Sequence, residues 1–164
     1  MRKNFALGAV AALAILSVTA NAEASTVTSN FTVRVVVNAQ CLVASASTLD
    51  FGTTGVLSAN VDATSIIQVQ CTNTAPYNIG LDAGTGTGAT VSNRLMTSGA
   101  TTISYAMYSN TGRTTNWGNT VGTDTVAGTG NGAAQSYTVY GRVPAQTTPA
   151  LGTYTDTITV TVTY

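Results

Sequence analysis

Few side chains in this sequence could do covalent chemistry. Of its 164 residues none is His, two are Cys, and charged residues make up only 7%. The lack of His excludes a Ser-His-Asp or Cys-His nucleophile pair and any His-containing zinc site. Cys41 and Cys71 are too few for a four-thiolate site. That leaves the carboxylates of Asp50, Asp62, Asp82, Asp124 and Asp156. Two of them could in principle form an aspartic-protease or glycosidase pair. No Asp-Thr-Gly or Asp-Ser-Gly triplet occurs, and Asp82-Ala83-Gly84 and Asp156-Thr157-Ile158 are poor substitutes. All five read as turn or exposed strand residues, too scattered to nominate a calcium site. The sequence assigns no catalytic residue, no metal ligand and no cofactor.

Two further patterns invite a binding role and lose it. The glycine runs Gly84–Gly88 and Gly128–Gly132 lack the G-x-G-x-x-G spacing, a following helix and a phosphate-loop Lys, so they read as loop tips. Tyr105, Tyr108 and Trp117 could stack on a sugar ring, but packing is the better reading. Tyr105 shares parity with Ile103 and Met107 and belongs to a core face; Tyr108 and Trp117 stay open between the two roles.

The N-terminus defines the compartment. Arg2 and Lys3 precede an apolar run, Phe5 to Val18, and then Ala20-Asn21-Ala22 and Ala22-Glu23-Ala24. A basic end, a short apolar stretch and a small-x-small site make residues 1–24 a secretory signal peptide, cleaved after Ala22 or Ala24. The run is short for a membrane span, and no other segment could insert in a bilayer. The chain beyond Ala24 carries Arg34, Arg94, Arg113 and Arg142 against the five Asp, with no Lys and no Glu. Such a chain has no electrostatic footprint for nucleic acid or anionic lipid. In an oxidising compartment the only two cysteines, Cys41 and Cys71, are expected to form a disulfide.

The elements that would position these residues are strands. Phe31, Val33, Val35 and Val37 alternate with Thr32, Arg34 and Val36; Ile67, Val69 and Cys71 alternate with Gln68 and Gln70. The same period of two runs through Tyr77–Leu81, Ile103–Met107, Tyr137–Val143 and Tyr154–Tyr164. Gly- and Asn-bearing turns separate the runs, no helical period follows residue 24, and Pro76, Pro144 and Pro149 fall near expected strand ends. The pattern predicts an all-β antiparallel sandwich in one domain.

Several blocks together then resemble a known family. VVNAQC up to Cys41, Leu49-Asp50-Phe51-Gly52, IQVQCT up to Thr72, AGTGTG, Arg94-Leu95-Met96, ISYAMYSN, TGRTTNWG, YTVYGRVPAQ and GTYTDTITVTVTY occur in this order. The sequence is similar to the spore coat protein U domain, the domain of Csu-type archaic chaperone–usher pilins, across nearly the whole chain after the leader. The resemblance implies an incomplete immunoglobulin-like sandwich completed by donor-strand insertion. It implies a donor-strand extension over residues 25–37 and a pilin domain over residues 38–164. The donor face would be Val27, Ser29, Phe31, Val33, Val35 and Val37. Ile158, Val160, Val162 and Tyr164 would line the edge against which a periplasmic chaperone zips, and the sequence ends at Tyr164 with no final strand in reserve.

The implied partners are that chaperone, an outer-membrane usher and neighbouring pilin subunits. The implied role is a structural subunit of a surface pilus, secreted through the periplasm and serving attachment and biofilm formation. The alternatives are a polymerising spore or cell-coat protein and, further off, a secreted carbohydrate-binding sandwich.

Overall fold

Eight strands follow one another without a helix among the described residues, which in this computed structural model are 23–164. The expected signal peptide falls almost wholly on residues 1–22, outside them. The chain divides into two units, Met1–Val35 and Val36–Tyr164. Within the first, the described residues 23–35 carry no ladder, and Val27, Phe31, Val33 and Val35 are exposed. The alternation of residues 31–37, which predicts a strand, thus lacks a sheet to join.

In the second unit the strands are β1 (Cys41–Ala46), β2 (Val61–Cys71), β3 (Pro76–Leu81), β4 (Arg94–Ser98), β5 (Thr101–Tyr108), β6 (Val126–Thr129), β7 (Ala134–Val143) and β8 (Val160–Thr163). They form a five-stranded sheet in the order β1-β2-β7-β5-β4 and a three-stranded sheet in the order β6-β3-β8, with every ladder antiparallel. The inner residues of the two sheets meet in one core. Ile67, Val69, Tyr105, Met107 and Val139 come from the larger sheet, Tyr77, Ile79 and Leu81 from the smaller. This is a two-layer all-β sandwich, and its core residues are those whose period of two faces inward.

Trp117, in the loop before β6, completes the core. It is buried and donates its indole N–H to the Ile79 carbonyl at 2.9 Å. Tyr108, also open in the sequence, is half-buried on β5 opposite Tyr140 of β7. The exposed charges pair on β2 and β7, where Arg142 binds both carboxylate oxygens of Asp62 (2.7 and 2.9 Å) and Arg113 approaches it at 3.3 Å. The Arg142 bond, helped by the charges of Arg113 and Arg142, holds the Asp62 carboxyl below its ordinary pKa against the opposing effect of desolvation. Such a surface pair contributes little to stability.

Cys41 and Cys71 are joined in a disulfide, across directly opposed positions of β1 and β2. Thr72 adds a second tie: its hydroxyl bonds the carbonyls of Asn38 and Gln40, and its N–H donates to the Gln40 carbonyl at 2.9 Å. The root of the N-terminal segment is therefore fixed to the end of a central strand. Closing a loop of 30 residues contributes about 3–4 kcal/mol on the chain-entropy picture. Cys41→Ser combined with Cys71→Ser should lower the unfolding free energy by about that amount. Urea unfolding followed by the fluorescence of the single buried Trp117 would check this, and an unchanged midpoint would contradict it.

Candidate functional site: a groove between two free strand edges

The two sheets do not close on each other. β1 pairs only with β2, and β8 pairs only with β3, so among the described residues each presents one unpaired edge to the same gap. Between them lies a groove of about 930 Å³ that reaches the core side chains Ile67, Leu81, Tyr105, Met107 and Val139. A core reached from solvent and flanked by free backbone N–H and C=O groups is the geometry of a sandwich short of one strand.

One wall is the C-terminal segment. From Tyr154 to Val162 its side chains alternate between half-buried and exposed; Ile158, Val160 and Val162 pack against the core, while the odd-numbered threonines face out. The sequence predicts one strand over Tyr154–Tyr164, but only Val160–Thr163 pairs in a ladder. The physical reason is a change of sheet. Thr155 bridges to Thr97 of β4 in the larger sheet, with bonds of 2.8 and 3.1 Å, whereas Val160 pairs with Leu81 of β3 in the smaller. Tyr164 lies beyond the ladder and is exposed, unlike the three residues that share its parity.

The other wall is Ala46, at the end of β1, with the loop that follows it. Leu49 and Phe51 turn inward and pack on the core, Phe51 edge-on to the Tyr105 ring at 6.2 Å. They fit because residue 141 of β7 is a glycine: a Cβ there would come within 2.7 Å of Leu49 and 2.9 Å of Phe51. The loop's turn uses Gly52 at φ 72°, its N–H donated to the Asp50 carboxylate at 2.8 Å.

Polar groups at the core's margin hold the C-terminal wall in position. Arg94, at the start of β4, has no exposed surface, and its guanidinium bonds four backbone carbonyls, those of Leu81, Asp82, Val91 and Trp117. Burial lowers its pKa, opposed by Tyr105, Asp82, Asp156 and Asp124 around it. Asp156 accepts from the Tyr105 hydroxyl at 2.7 Å and from the Thr85 N–H and hydroxyl at 2.8 and 2.9 Å. A Cβ on Gly84, at φ 81°, would clash with that carboxylate, so the glycine run serves the approach of Asp156 as well as a turn. Asp82 accepts from the N–H groups of Thr159 (2.9 Å) and Gly84 (3.1 Å).

Asp156 is thus not the exposed residue the sequence suggests, and Asp82 is more than a turn residue, although it does accept from Gly84 within its own turn; both are half-buried braces of the segment that bounds the groove. Among the described residues no three His, Cys, Asp or Glu side chains lie together as a metal site. The arrangement provides for the capture of an extended chain, with backbone edges on both sides and apolar sockets between.

Comparison with known proteins bears on what such a groove serves. The family model described as the Spore Coat Protein U domain matches residues 27–161. Protein U of Myxococcus xanthus is 36% identical over 174 aligned positions, covering 97% of each chain. Among solved structures, a chain of the CsuC–CsuE chaperone–tip adhesion subunit pre-assembly complex, from archaic chaperone–usher Csu pili of Acinetobacter baumannii, matches with a TM-score of 0.56 and 24% identity. The match covers 78% of this chain and 40% of that one.

Two outcomes are expected of the braces. Arg94→Met leaves four backbone carbonyls short of a donor, those of Leu81 and Trp117 in buried bonds, and should destabilise the domain by about 3 kcal/mol or more, read by urea unfolding. For Asp82, burial pushes the pKa up, but the Thr159 and Gly84 bonds and nearby Arg94 outweigh it and hold the value below 3.8. A depressed carboxylate stabilises fully above its unfolded pKa and loses that contribution as pH falls through the folded one. The stability gap between the unsubstituted protein and Asp82→Asn should therefore be full at neutral pH and shrink only as pH falls below about 4. A gap that is constant down to about pH 2 would contradict the assignment.

Proposed function

Because the chain belongs to the Spore Coat Protein U domain family, we propose that it is a structural subunit of a surface pilus, assembled by a chaperone–usher pathway through donor-strand exchange. The observation that carries this is the open groove between β1 and β8, together with an alternating segment that has no ladder of its own. The segment Val27–Val37 and the wall Tyr154–Tyr164 are both 11 residues long. The segment's even-spaced apolar set, Val27, Phe31, Val33, Val35 and Val37 with Ser29, suits strand addition, where backbone bonds give affinity and alternate side chains fill sockets. Phe31 is 86% exposed as it stands.

Burying Phe31, Val33 and Val35 in a groove would gain about 5–9 kcal/mol before ordering costs are subtracted. That is comparable with the whole stability of a typical domain, roughly 5–15 kcal/mol. A subunit with an empty groove is an aggregation hazard, which is the physical need a periplasmic chaperone meets by lending a strand along β8. Ile158, Val160 and Val162 would meet either the chaperone or the neighbour's donor. An outer-membrane usher would exchange one for the other, delivering the subunit to the cell exterior for attachment and biofilm formation. The family's description favours a second destination, a polymerising coat on a spore or cell surface.

Phe31→Asp or Val33→Asp would bury a carboxylate without a partner in the neighbour's groove. Either variant should still yield a chaperone-bound monomer but no SDS-resistant multimers or surface fibres. Arg34→Ala, on the opposite face, should assemble nearly as well as the unsubstituted chain. Unboiled gel electrophoresis and electron microscopy read the result. Ladders and fibres from Phe31→Asp would show that the segment is not the donor. Loss of even the chaperone complex would place it in its own domain's core. Gold labelling on whole cells separates discrete fibres from a continuous coat.

A further inference from the structure

The domain has two poles, set by its ladders. The disulfide, Thr72 and the root Asn38–Gln40 lie where β1 begins and β2 ends, with Gly132 beside them, its N–H on the Cys71 carbonyl at 3.1 Å. The loops after β1 and after β7 lie at the opposite pole, because Val61 pairs with Val143. These loops are tied together: Leu57 donates to the Thr148 hydroxyl at 2.9 Å and accepts from Gln146, and Asn60 accepts from Ala145.

At that second pole, on the rim of the groove, Leu151 stands fully exposed, with a relative accessibility of 105%. Its loop is nevertheless held on both sides. The Ala150 carbonyl accepts from Tyr154 at 2.8 Å, and Gly152 sits so close to Ser98 that a Cβ would approach its hydroxyl to 2.7 Å. An aliphatic side chain held out by an anchored loop is a knob. At the first pole there is a recess of about 260 Å³ lined by Gln40, Leu42, Gln70, Cys71, Thr72 and Gly132, with Leu42 itself half-exposed.

On the donor-strand reading above, knob and recess are brought together. A donor antiparallel to β8, as every ladder in this domain is antiparallel, enters with Val27 at the neighbour's first pole and leaves with Val37 at its second. Four residue steps separate Val37 from Cys41, which at about 3.3–3.6 Å per residue keeps the two domains within roughly 14 Å. The donor's first pole must therefore face the neighbour's second.

We propose that Leu151 of one subunit seats in the recess beside Leu42 of the next copy of this chain, a contact between subunits additional to the inserted strand. The inserted strand and the tie of Asn38 and Gln40 to Thr72 hold the junction at one point only; a seated Leu151 adds a second and fixes its angle.

The test is a benzophenone amino acid in place of Leu151, irradiated in fibres sheared from producing cells and mapped by mass spectrometry. Cross-links to residues 40–42, 70–72 or 132 of another copy are expected. Leu151→Asp should keep the SDS-resistant ladder while reducing fibre persistence length at least twofold in electron micrographs. Fibres whose cross-links map elsewhere, or whose persistence length is unchanged in Leu151→Asp, overturn the contact while leaving donor insertion intact. An unsubstituted chain that forms no SDS-resistant ladder overturns the donor reading, and this contact with it.

Discussion

Every part of this domain is arranged around one unmet requirement: the backbone groups on the free edges of β1 and β8 need partners, and the apolar interior between them needs cover. A sandwich normally answers both needs with its own chain. Here the gap remains, yet its walls are not loose. The disulfide pins β1 to β2, Leu49 and Phe51 seat against the glycine at position 141, and the C-terminal segment is stitched to both sheets. A groove with fixed walls costs little reorganisation when a strand enters it, which favours tight capture.

The few charges of the chain support the same arrangement. Arg94 gathers carbonyls from four points of the chain that converge beside the C-terminal wall, and Asp82 and Asp156 secure that wall directly. Burying an ion demands hydrogen bonds in return: Arg94 makes four, Asp156 is bonded at both oxygens, and Asp82 accepts two. In a chain with no His, they serve geometry, and the chemistry of the groove is that of backbone pairing and apolar fit.

Much of this was legible in the sequence, for physical reasons that also explain the gaps. β2, β3, β5 and β7 each have one face in the core, so Ile67, Ile79, Met107 and Val139 reveal them by parity alone. β1 escaped because every residue after Cys41 is exposed on it, which leaves no apolar face for parity to reveal, and its register also slips between Val43 and Ser45. β6 is four residues long and includes Gly128, which gives space to the rings of Tyr77 and Tyr137. The sheet change at Thr155 was illegible because periodicity reports which side of a strand is apolar and not which strand lies beside it. For the same reason the alternation of residues 27–37 could not say whether a partner strand existed. Arg94 entered only as part of the Arg94-Leu95-Met96 block, and its place as a buried brace was not read. The signal for that role is a lone Arg following a glycine-rich loop in a chain almost free of charge.

The most direct measurement asks whether the domain is complete without residues 25–37. The segment 38–164 would be refolded from denaturant with its disulfide intact, alone and in the presence of a synthetic peptide of residues 25–37, and followed by Trp117 fluorescence and thermal melting. The expected result is a monomeric domain that melts markedly higher with the peptide, at one peptide per domain, and gains nothing from a peptide carrying Phe31→Asp. Equal refolding and equal melting with and without the peptide would show a sandwich that needs no donor, and would contradict the central claim.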